Sequence, residues 1–245
     1  MKIALLNFIA KGWNCMDIPA LGAFRFKLLV CVYRILPLLG GVNFTRLVEW
    51  QFVLKNLPKP PAKVLDVGST TSLFPFKINA LGYETYCLDQ RTSNFRLPLN
   101  IIFHRDDLMN LKFSDNIFDA VSCISVIEHI GMGRYNDPLC QEGDIKAMRE
   151  MLRILKPNGR LIVTTNICSE TQVVNKELWY GQERFYQLLE VGKVLAEEYY
   201  YFNGRRWICC DKEKVFSVNR PNFSLGMFVL EKQQKEKAKS TISNC

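Results

Sequence analysis

Short apolar runs alternate with amphipathic stretches from Lys63 onward, and this alternation is the main structural signal in the chain. Five runs predict buried strands, at residues 64–67, 84–88, 101–103, 118–124 and 160–165. Residues 141–155 carry apolar side chains at helical spacing and predict a helix between the fourth and fifth strands. Strands that alternate with helices are joined by crossovers, so we expect an α/β fold with a mostly parallel sheet and helices on both of its faces.

The remaining segments extend this prediction toward both termini. A helix is predicted around residues 182–191, and two later β-rich stretches, 194–202 and 225–230, predict an antiparallel edge that brings the sheet to seven strands. A proline-rich run at residues 58–61 favours extended backbone and separates the sheet from the segment before it. We therefore divide the chain into a helical N-terminal extension (1–57), an α/β domain (58–230) and a charged C-terminal tail (231–245).

The composition is typical of a folded protein in a reducing compartment. Of 245 residues, 48% are hydrophobic and 23% are charged, which excludes a disordered tail or a low-complexity linker. The nine cysteines include no CxxC pair, so we expect reduced, mostly buried thiols and neither a disulfide framework nor a zinc knuckle. This cysteine usage predicts a cytoplasmic protein.

The formal net charge of +8 is concentrated near the N-terminus, where residues 1–62 hold eight Lys and Arg against two acidic residues. The apolar stretch at residues 26–44 is interrupted by Lys27, Arg34 and Pro37, whereas a spanning helix needs roughly 18 nearly uncharged residues. No transmembrane segment is therefore predicted. A peripheral membrane contact through residues 1–57 and a helical cap packed on the domain both remain open.

Acidic side chains follow three of the predicted strands. Asp66 and Gly68 end the first strand, Asp89 ends the second, and Asp106 with Asp107 follows the third. Ligands of open α/β sheets lie beyond the carboxyl ends of the strands, where a carboxylate at the position of Asp89 accepts hydrogen bonds from ribose hydroxyls. Gly68 stands in its loop without the GxGxxG of a dinucleotide site, which favours a nucleoside ligand over a dehydrogenase cofactor.

Five consecutive motifs carry a resemblance to a known family. They read VLDVGST, CLDQ, RDDLMNLKFSDNIFD, FDAVSCISVIEHI and LRILKPNGRLIVTT, all within residues 62–168. In this order they resemble the class I S-adenosylmethionine-dependent methyltransferases. The resemblance implies a Rossmann-like fold with a seven-stranded sheet and S-adenosyl-L-methionine as the cofactor.

The same resemblance implies a set of cofactor-binding residues. Asp66 and Gly68 would lie at the methionine end, Asp89 would bind the ribose hydroxyls, and Asp107 rather than Asp106 would bind the adenine amine. The alternative role of Asp66 and Asp89 is a helix N-cap, and that of Asp106 a solvated surface acid. The full implied set is Asp66, Gly68, Ser69, Asp89, Gln90, Asp107, Leu108, Ile124 and Ser125.

The loop after Gly68 departs from the family pattern. Residues 69–72 read Ser-Thr-Thr-Ser where the family usually has two further glycines. Hydroxyl groups and a helix N-cap at Ser72 would replace the missing backbone contacts, because a helix N-terminus offers free N–H groups. Bulkier side chains in this loop would otherwise narrow the site.

The sequence motifs indicate the methyl acceptor less clearly than the cofactor. The family's Asn/Asp-Pro-Pro-aromatic tetrapeptide for amine acceptors and its Pro-Cys nucleophile are both absent, so we expect O-methylation of a small-molecule or glycan hydroxyl. His129 is a candidate general base, with a structural histidine as the alternative. Trp179, Tyr180 and Arg184 are candidate substrate contacts, with packing into the sheet as the alternative.

Two other hypotheses for the function stay open. The basic N-terminal segment is compatible with an RNA methyltransferase, whose binding would weaken steeply with salt. The altered glycine loop is compatible with a cofactor-binding scaffold that lacks catalysis. Metal-binding relatives carry a Glu three residues before the Glu-His pair, and Ser125 stands at that position here, so no metal site is predicted.

Overall fold

The computed structural model of the protein describes residues 45–93, 96–135, 137–218 and 224–232. The predicted extension up to residue 44, with its peripheral membrane contact, and the tail from residue 233 lie outside this part. The helices are α1 (Thr45–Asn56), α2 (Phe74–Ala80), α3 (Gly143–Ile154), α4 (Gln182–Leu189) and α5 (Lys212–Phe216). The strands are β1 (Lys63–Val67), β2 (Glu84–Asp89), β3 (Ile101–Arg105), β4 (Phe118–Ile124), β5 (Leu155–Asn166), β6 (Gln172–Val174), β7 (Glu177–Trp179), β8 (Lys193–Phe202), β9 (Trp207–Cys210) and β10 (Ser224–Glu231). Within the described residues, no helix combines the length and hydrophobicity that a membrane crossing requires.

The main sheet has eight strands in the order β3-β2-β1-β4-β5-β10-β8-β9. The first five strands in this order are parallel, whereas β10 runs antiparallel to both of its neighbours. The predicted α/β class, with a mostly parallel sheet and an antiparallel edge, is confirmed. Parallel pairing places the carboxyl ends of β1, β2, β3, β4 and β5 along one edge, and we call this edge the carboxyl edge.

The predicted count of seven strands is wrong by one, because β9 pairs antiparallel with β8 and forms the outer edge of the sheet. The turn between the two strands contains Asn203 and Gly204, and Gly204 has a left-handed φ of 94°. An Asn-Gly pair between apolar runs is a strong hairpin signal. β9 was missed because it is four residues long and lies at an edge, with no buried alternation of its own.

Helices cover both faces of the sheet, as predicted, and each face has its own apolar core. On one face, α3 and α4 contribute Met148, Met151 and Phe185 to a core shared with β4 and β5. On the other face, Phe52 of α1 and Phe74 of α2 pack against β1 and β4. α1 falls within the predicted extension, yet it packs onto the sheet as a helical cap would.

A small hairpin formed by β6 and β7 lies between β5 and α4 and was not predicted. Asn175 and Lys176 at its turn both have positive φ, 52° and 61°, which is the geometry of a two-residue hairpin turn. The Tyr180 amide donates to the Asn166 carbonyl at 3.3 Å, and the Cys168 amide donates to the Tyr180 carbonyl at 2.9 Å. These bonds hold the hairpin beside the end of β5, at the carboxyl edge.

The packing of α4 predicts a large loss of stability for Phe185→Ala. Phe185 is fully buried, and its ring centroid lies 5.4 Å from that of Phe228 and 5.8 Å from that of Phe216. Truncating a buried aromatic side chain leaves a cavity and costs about 3–5 kcal/mol, which urea unfolding would measure. The control Val173→Ala, at an exposed position of β6, should change the free energy of unfolding by less than about 0.5 kcal/mol. Equal effects of the two variants would contradict this packing.

Candidate functional site

The carboxyl ends of β2 and β3 border an open cleft of about 360 Å³. Its lining residues come from these strand ends and the loops that follow, and they are Gln90, Arg105, Asp106, Asp107, Asn110 and Lys112. Asp106 accepts hydrogen bonds from two amides of its own loop, at 3.0 and 2.8 Å. Asp107 is exposed and uses one oxygen, Oδ1, for the Met109 amide at 2.9 Å. Gln90 and Asp107 therefore meet at the cleft, and Leu108 is buried beside it.

Asp89 lies at the end of β2, where both of its carboxylate oxygens are hydrogen-bonded. The Thr70 amide donates to Oδ2 at 3.1 Å, and the Arg91 amide donates to Oδ1 at 3.0 Å. The Arg91 guanidinium adds two bonds of 3.0 Å, one to each oxygen. Burial raises the pKa of Asp89, but the hydrogen bonds from Arg91 and Thr70 outweigh burial and hold this pKa below its usual value. Asp89 is therefore ionised at neutral pH.

Gly68 forms a tight junction between β1 and β4. Its φ is 71°, and a Cβ at this position would lie 2.2 Å from Val126 Cγ2, so both conformation and space require glycine. The Gly68 amide donates to the Leu88 carbonyl at 2.8 Å, and the Ser69 hydroxyl reaches the same carbonyl at 3.4 Å. Gly68 and Ser69 therefore hold the loop close to the end of β2.

The hydroxyl groups of the loop after Gly68 differ in their hydrogen bonds. Ser72 Oγ accepts a hydrogen bond from the Phe74 amide at 3.2 Å, although the N-cap of α2 is Leu73 rather than Ser72 as expected. Thr70 is 2% exposed, and its Oγ1 has no hydrogen-bond partner. Buried polar atoms in folded proteins are almost always bonded, so Thr70 Oγ1 is available to a bound ligand or water.

Asp66 is a buried carboxyl group on β1, 1% exposed. The Ser122 hydroxyl donates to Asp66 Oδ1 at 2.7 Å. Burial raises the pKa of Asp66 to about 7, against the lowering effects of the Ser122 hydrogen bond and the Arg46 charge. A cation bound nearby would therefore be stabilised and would favour the ionised form of Asp66.

Glu49 on α1 is fully buried against the ends of β4 and β5, and no motif in the sequence marks it as a site residue. The hydroxyls of Ser125 and Thr164 donate to its Oε1 at 2.5 and 2.6 Å, and Arg46 donates to its Oε2 at 2.9 Å. Arg46 also donates to the Ile124 carbonyl at 3.2 Å, while its side chain is 50% exposed. α1 thus brings a carboxylate and a guanidinium to the carboxyl edge.

Ser125 is held in an uncommon backbone conformation by this network. Its φ is 48°, in the left-handed region that residues other than glycine seldom adopt. Such strain concentrates at functional sites when surrounding contacts enforce it. One signal in the sequence could have identified Glu49, because Asp17 and Glu49 are the two acidic residues among residues 1–62. An acid isolated in a basic segment suggests a specific partner.

Glu128 and His129 belong to a short 3-10 turn after β4. Burial raises the pKa of Glu128 to about 7, and its Oε2 accepts a hydrogen bond from the Thr165 hydroxyl at 3.2 Å. Burial and the Arg134 charge lower the pKa of His129 to about 4. Arg134 Nη1 lies 3.4 Å from His129 Nδ1, and a guanidinium can only donate, so Nδ1 accepts and Nε2 carries the proton. His129 is neutral at pH 7 and presents a donor.

The three candidate substrate residues lie inside the fold. Tyr180 is fully buried and donates to Asp144 Oδ2 at 3.2 Å. Arg184 donates to both carboxylate oxygens of Asp144, at 2.5 and 3.2 Å. Trp179 is 1% exposed, and its Nε1 has no hydrogen-bond partner. Of the three, only Trp179 has a buried polar atom without a hydrogen-bond partner.

The groups at the carboxyl edge fit S-adenosyl-L-methionine. The cleft offers the Asp107 carboxylate to an adenosine, Arg46 offers a guanidinium to a carboxylate, and Asp66 offers a buried acid to a cation. The unpartnered Thr70 Oγ1 lies between β1 and Asp89 and is consistent with a polar ligand there. Within the described ranges, no three His, Cys, Asp or Glu residues are placed to hold a metal ion.

Two relatives and one solved structure illustrate the known proteins that this chain resembles. The chain is 31% identical over 85 residues to the uncharacterized protein MJ0638 of Methanocaldococcus jannaschii, covering 35% of this chain and only 32% of that protein. It is 28% identical over 189 residues to demethylmenaquinone methyltransferase of Staphylococcus haemolyticus. The alignment covers 71% of this chain and 74% of that protein. The crystal structure of Burkholderia thailandensis 1,6-didemethyltoxoflavin-N1-methyltransferase, with bound 1,6-didemethyltoxoflavin and S-adenosylhomocysteine, gives a TM-score of 0.51 at 14% identity, covering 71% of this chain and 72% of that one.

The strand order and the solved neighbour confirm the resemblance at the level of the fold. Residues 78–201, just over half of the chain, match the family described as Caenorhabditis protein of unknown function, DUF268. The matched segment includes the end of β2, the cleft and the turn after β4. The chain therefore belongs to the DUF268 family and has the class I S-adenosylmethionine-dependent methyltransferase fold.

Proposed function

We propose that this chain is an S-adenosyl-L-methionine-dependent methyltransferase. The observation that carries the proposal is the placement of Asp66, Asp89 and Asp107 at the carboxyl edge of a class I methyltransferase sheet, where Asp107 lines an open cleft. A methyltransferase that aligns with 71% of the chain supports it, as does the S-adenosylhomocysteine bound in the solved neighbour.

Each part of the cofactor has a candidate partner in this proposal. Asp89 accepts hydrogen bonds from the ribose hydroxyls, with Gln90 beside it. Asp107 accepts one from the adenine amine, with the Leu108 amide facing the ring. Arg46 binds the carboxylate of the methionine part, and Asp66 stabilises the positive charge at that end. The residues that border the methionine end are Gly68, Ser69, Ile124 and Ser125. When bound, the cofactor supplies an electrophilic methyl group on a sulfonium.

We further propose a hydroxyl of a small molecule or glycan as the methyl acceptor. The sequence lacks the motif of amine acceptors, and oxygen needs only alignment, exclusion of water and a proton acceptor. The turn with Glu128 and His129 and the β6–β7 hairpin border the carboxyl edge, where they would exclude water from the acceptor. Transfer of a labelled methyl group to a panel of hydroxylated small molecules and glycans tests this assignment. Cofactor binding without transfer to any acceptor would favour a scaffold.

Asp89→Asn is expected to weaken cofactor binding. The substitution keeps the shape of the side chain but removes the charge that strengthens hydrogen bonds from the ribose, a loss of about 1.5–3 kcal/mol. Isothermal titration calorimetry with S-adenosyl-L-methionine would measure the dissociation constant. The matched control is Asp119→Asn, an acid paired with Lys156 at the opposite, amino end of β4, which should leave the affinity unchanged. An unaltered affinity in Asp89→Asn, both alone and combined with Arg91→Ala, which removes the guanidinium bonded to Asp89, would show that the ribose lies elsewhere.

The raised pKa of Asp66 predicts that cofactor affinity increases with pH. Asp66 is close to half protonated near pH 7, and a bound cation favours its ionised form, so binding releases a proton there. We expect the dissociation constant for S-adenosyl-L-methionine to fall about three- to tenfold from pH 6 to pH 8. Asp66→Asn should abolish this dependence, whereas Glu128→Gln, which removes the other carboxyl with a pKa of about 7, should retain it. The same pH dependence in Asp66→Asn as in the wild type would refute the assignment.

The lowered pKa of His129 predicts acid-sensitive folding. Its pKa is about 4 in the folded protein and about 6.5 in the unfolded chain, so the unfolded state binds a proton first and stability decreases as pH falls from 6.5 to 4. Urea unfolding at pH 7 and pH 5 would measure this effect. Between these two pH values, the free energy of unfolding should fall by about 2 kcal/mol less in His129→Gln than in the wild type. The control is His104→Gln, which replaces the other of the two histidines in the chain. Identical pH dependence in wild type and His129→Gln would argue against the buried neutral imidazole.

A further inference from the structure

The acid proposed to bind ribose is already fully bonded within the chain. A carboxylate offers about four acceptor positions, and Asp89 accepts four hydrogen bonds, three of them from Arg91 and one from the Thr70 amide. The guanidinium bonds both oxygens side by side, which is the strongest geometry for such a pair. A ribose would therefore have to displace the Arg91 guanidinium before its hydroxyls could reach Asp89.

A second residue covers the Arg91 guanidinium from the other side. The guanidinium carbon lies 4.1 Å from the ring centroid of Tyr135, which is the geometry of a cation–π contact. Gln90 Nε2 reaches the Tyr135 carbonyl at 3.4 Å, and the Tyr135 amide donates to Asp137 Oδ1 at 3.1 Å. Tyr135 thus lies over the end of β2, and Arg91 is held between an aromatic ring and a carboxylate.

We propose that Arg91 and Tyr135 form a latch that competes with the cofactor for Asp89. In the closed latch the guanidinium occupies the ribose acceptor positions, and cofactor entry requires Arg91 to swing away from both Asp89 and Tyr135. The apparent affinity for the cofactor is reduced by the fraction of molecules in which the latch is open. This inference rests on the proposed function, because it needs an adenosyl cofactor at Asp89.

The latch also joins the cofactor cleft to the side of the site proposed for the acceptor. Residues 130–135 follow the turn with His129, and Arg134 in this segment forms an ion pair with Glu177 of β7. Lys176 Nζ donates to the Gly133 carbonyl at 3.1 Å, a second bond between this segment and the hairpin. Tyr135 therefore belongs to a segment that is held to the hairpin by two contacts.

Calorimetric titration of the full chain with S-adenosylhomocysteine tests the latch. Arg91→Ala should tighten the dissociation constant about tenfold and increase the association rate measured by stopped flow, because the competitor is gone. Arg91→Lys should tighten it less, since an ammonium keeps the charge but loses the paired bonds and the flat contact with the ring. Tyr135→Ala should shift in the same direction as Arg91→Ala, whereas Tyr135→Phe, which keeps the ring over the guanidinium and loses the hydroxyl, should shift less than Tyr135→Ala.

The control for removal of a positive charge is Arg205→Ala, at the exposed tip of the β8–β9 hairpin, where no ion pair holds the side chain in the described structure. Arg205→Ala should leave the dissociation constant unchanged. The effects of Arg91→Ala and Tyr135→Ala should also be less than additive in the double variant, because both remove one latch.

The possible results separate the latch from the function. If the wild type binds S-adenosylhomocysteine and Arg91→Ala binds with equal or lower affinity, the latch is overturned and the cofactor assignment stands. If neither the wild type nor any variant binds it, the proposed function is overturned and the latch with it. Tightening in Arg205→Ala equal to that in Arg91→Ala would attribute the effect to net charge and would also overturn the latch.

Discussion

The carboxyl edge depends on the parallel pairing of β1 between β2 and β4. The register places Asp66 opposite Cys87 on one side and Ser122 on the other, which gives Asp66 its hydroxyl partner. The same pairing lets the loop after β1 reach the end of β2, where the Thr70 amide bonds Asp89. A slip of one residue would turn Asp66 to the opposite face of the sheet and separate these groups.

Buried charge is the second constraint on this edge. Glu49, Asp66 and Glu128 are each at most 1% exposed, and burying a carboxylate is costly unless it is bonded or protonated. Glu49 is compensated by two hydroxyls and the Arg46 guanidinium, whereas burial raises the pKa of both Asp66 and Glu128 to about 7. An edge with this surplus of carboxyl groups is suited to a ligand that carries positive charge.

The sequence predicted those features that local patterns record. Apolar runs and helical spacing predicted the strands from β1 to β5, the helices α3 and α4 and the antiparallel edge, because burial imposes its period on the residues themselves. The motif resemblance predicted that Asp89, Gln90 and Asp107 would lie at strand ends. In the structure Asp89 is the last residue of β2, and Gln90 and Asp107 line the cleft that follows β2 and β3. The hairpin β6–β7 and the strand β9 were missed because each strand is at most four residues long.

The sequence by itself determined the class of fold, the order of its strands along the chain and the acids at their ends, since each follows from neighbouring residues. Only the tertiary structure decided the contacts between distant segments. The Thr164 hydroxyl donates to Glu49, which lies 115 residues away in the sequence. The Tyr135 ring covers the Arg91 guanidinium. Asp144 accepts hydrogen bonds from Tyr180 and Arg184. No local pattern encodes such pairs, because they form only when the sheet brings residues far apart in the chain to one edge.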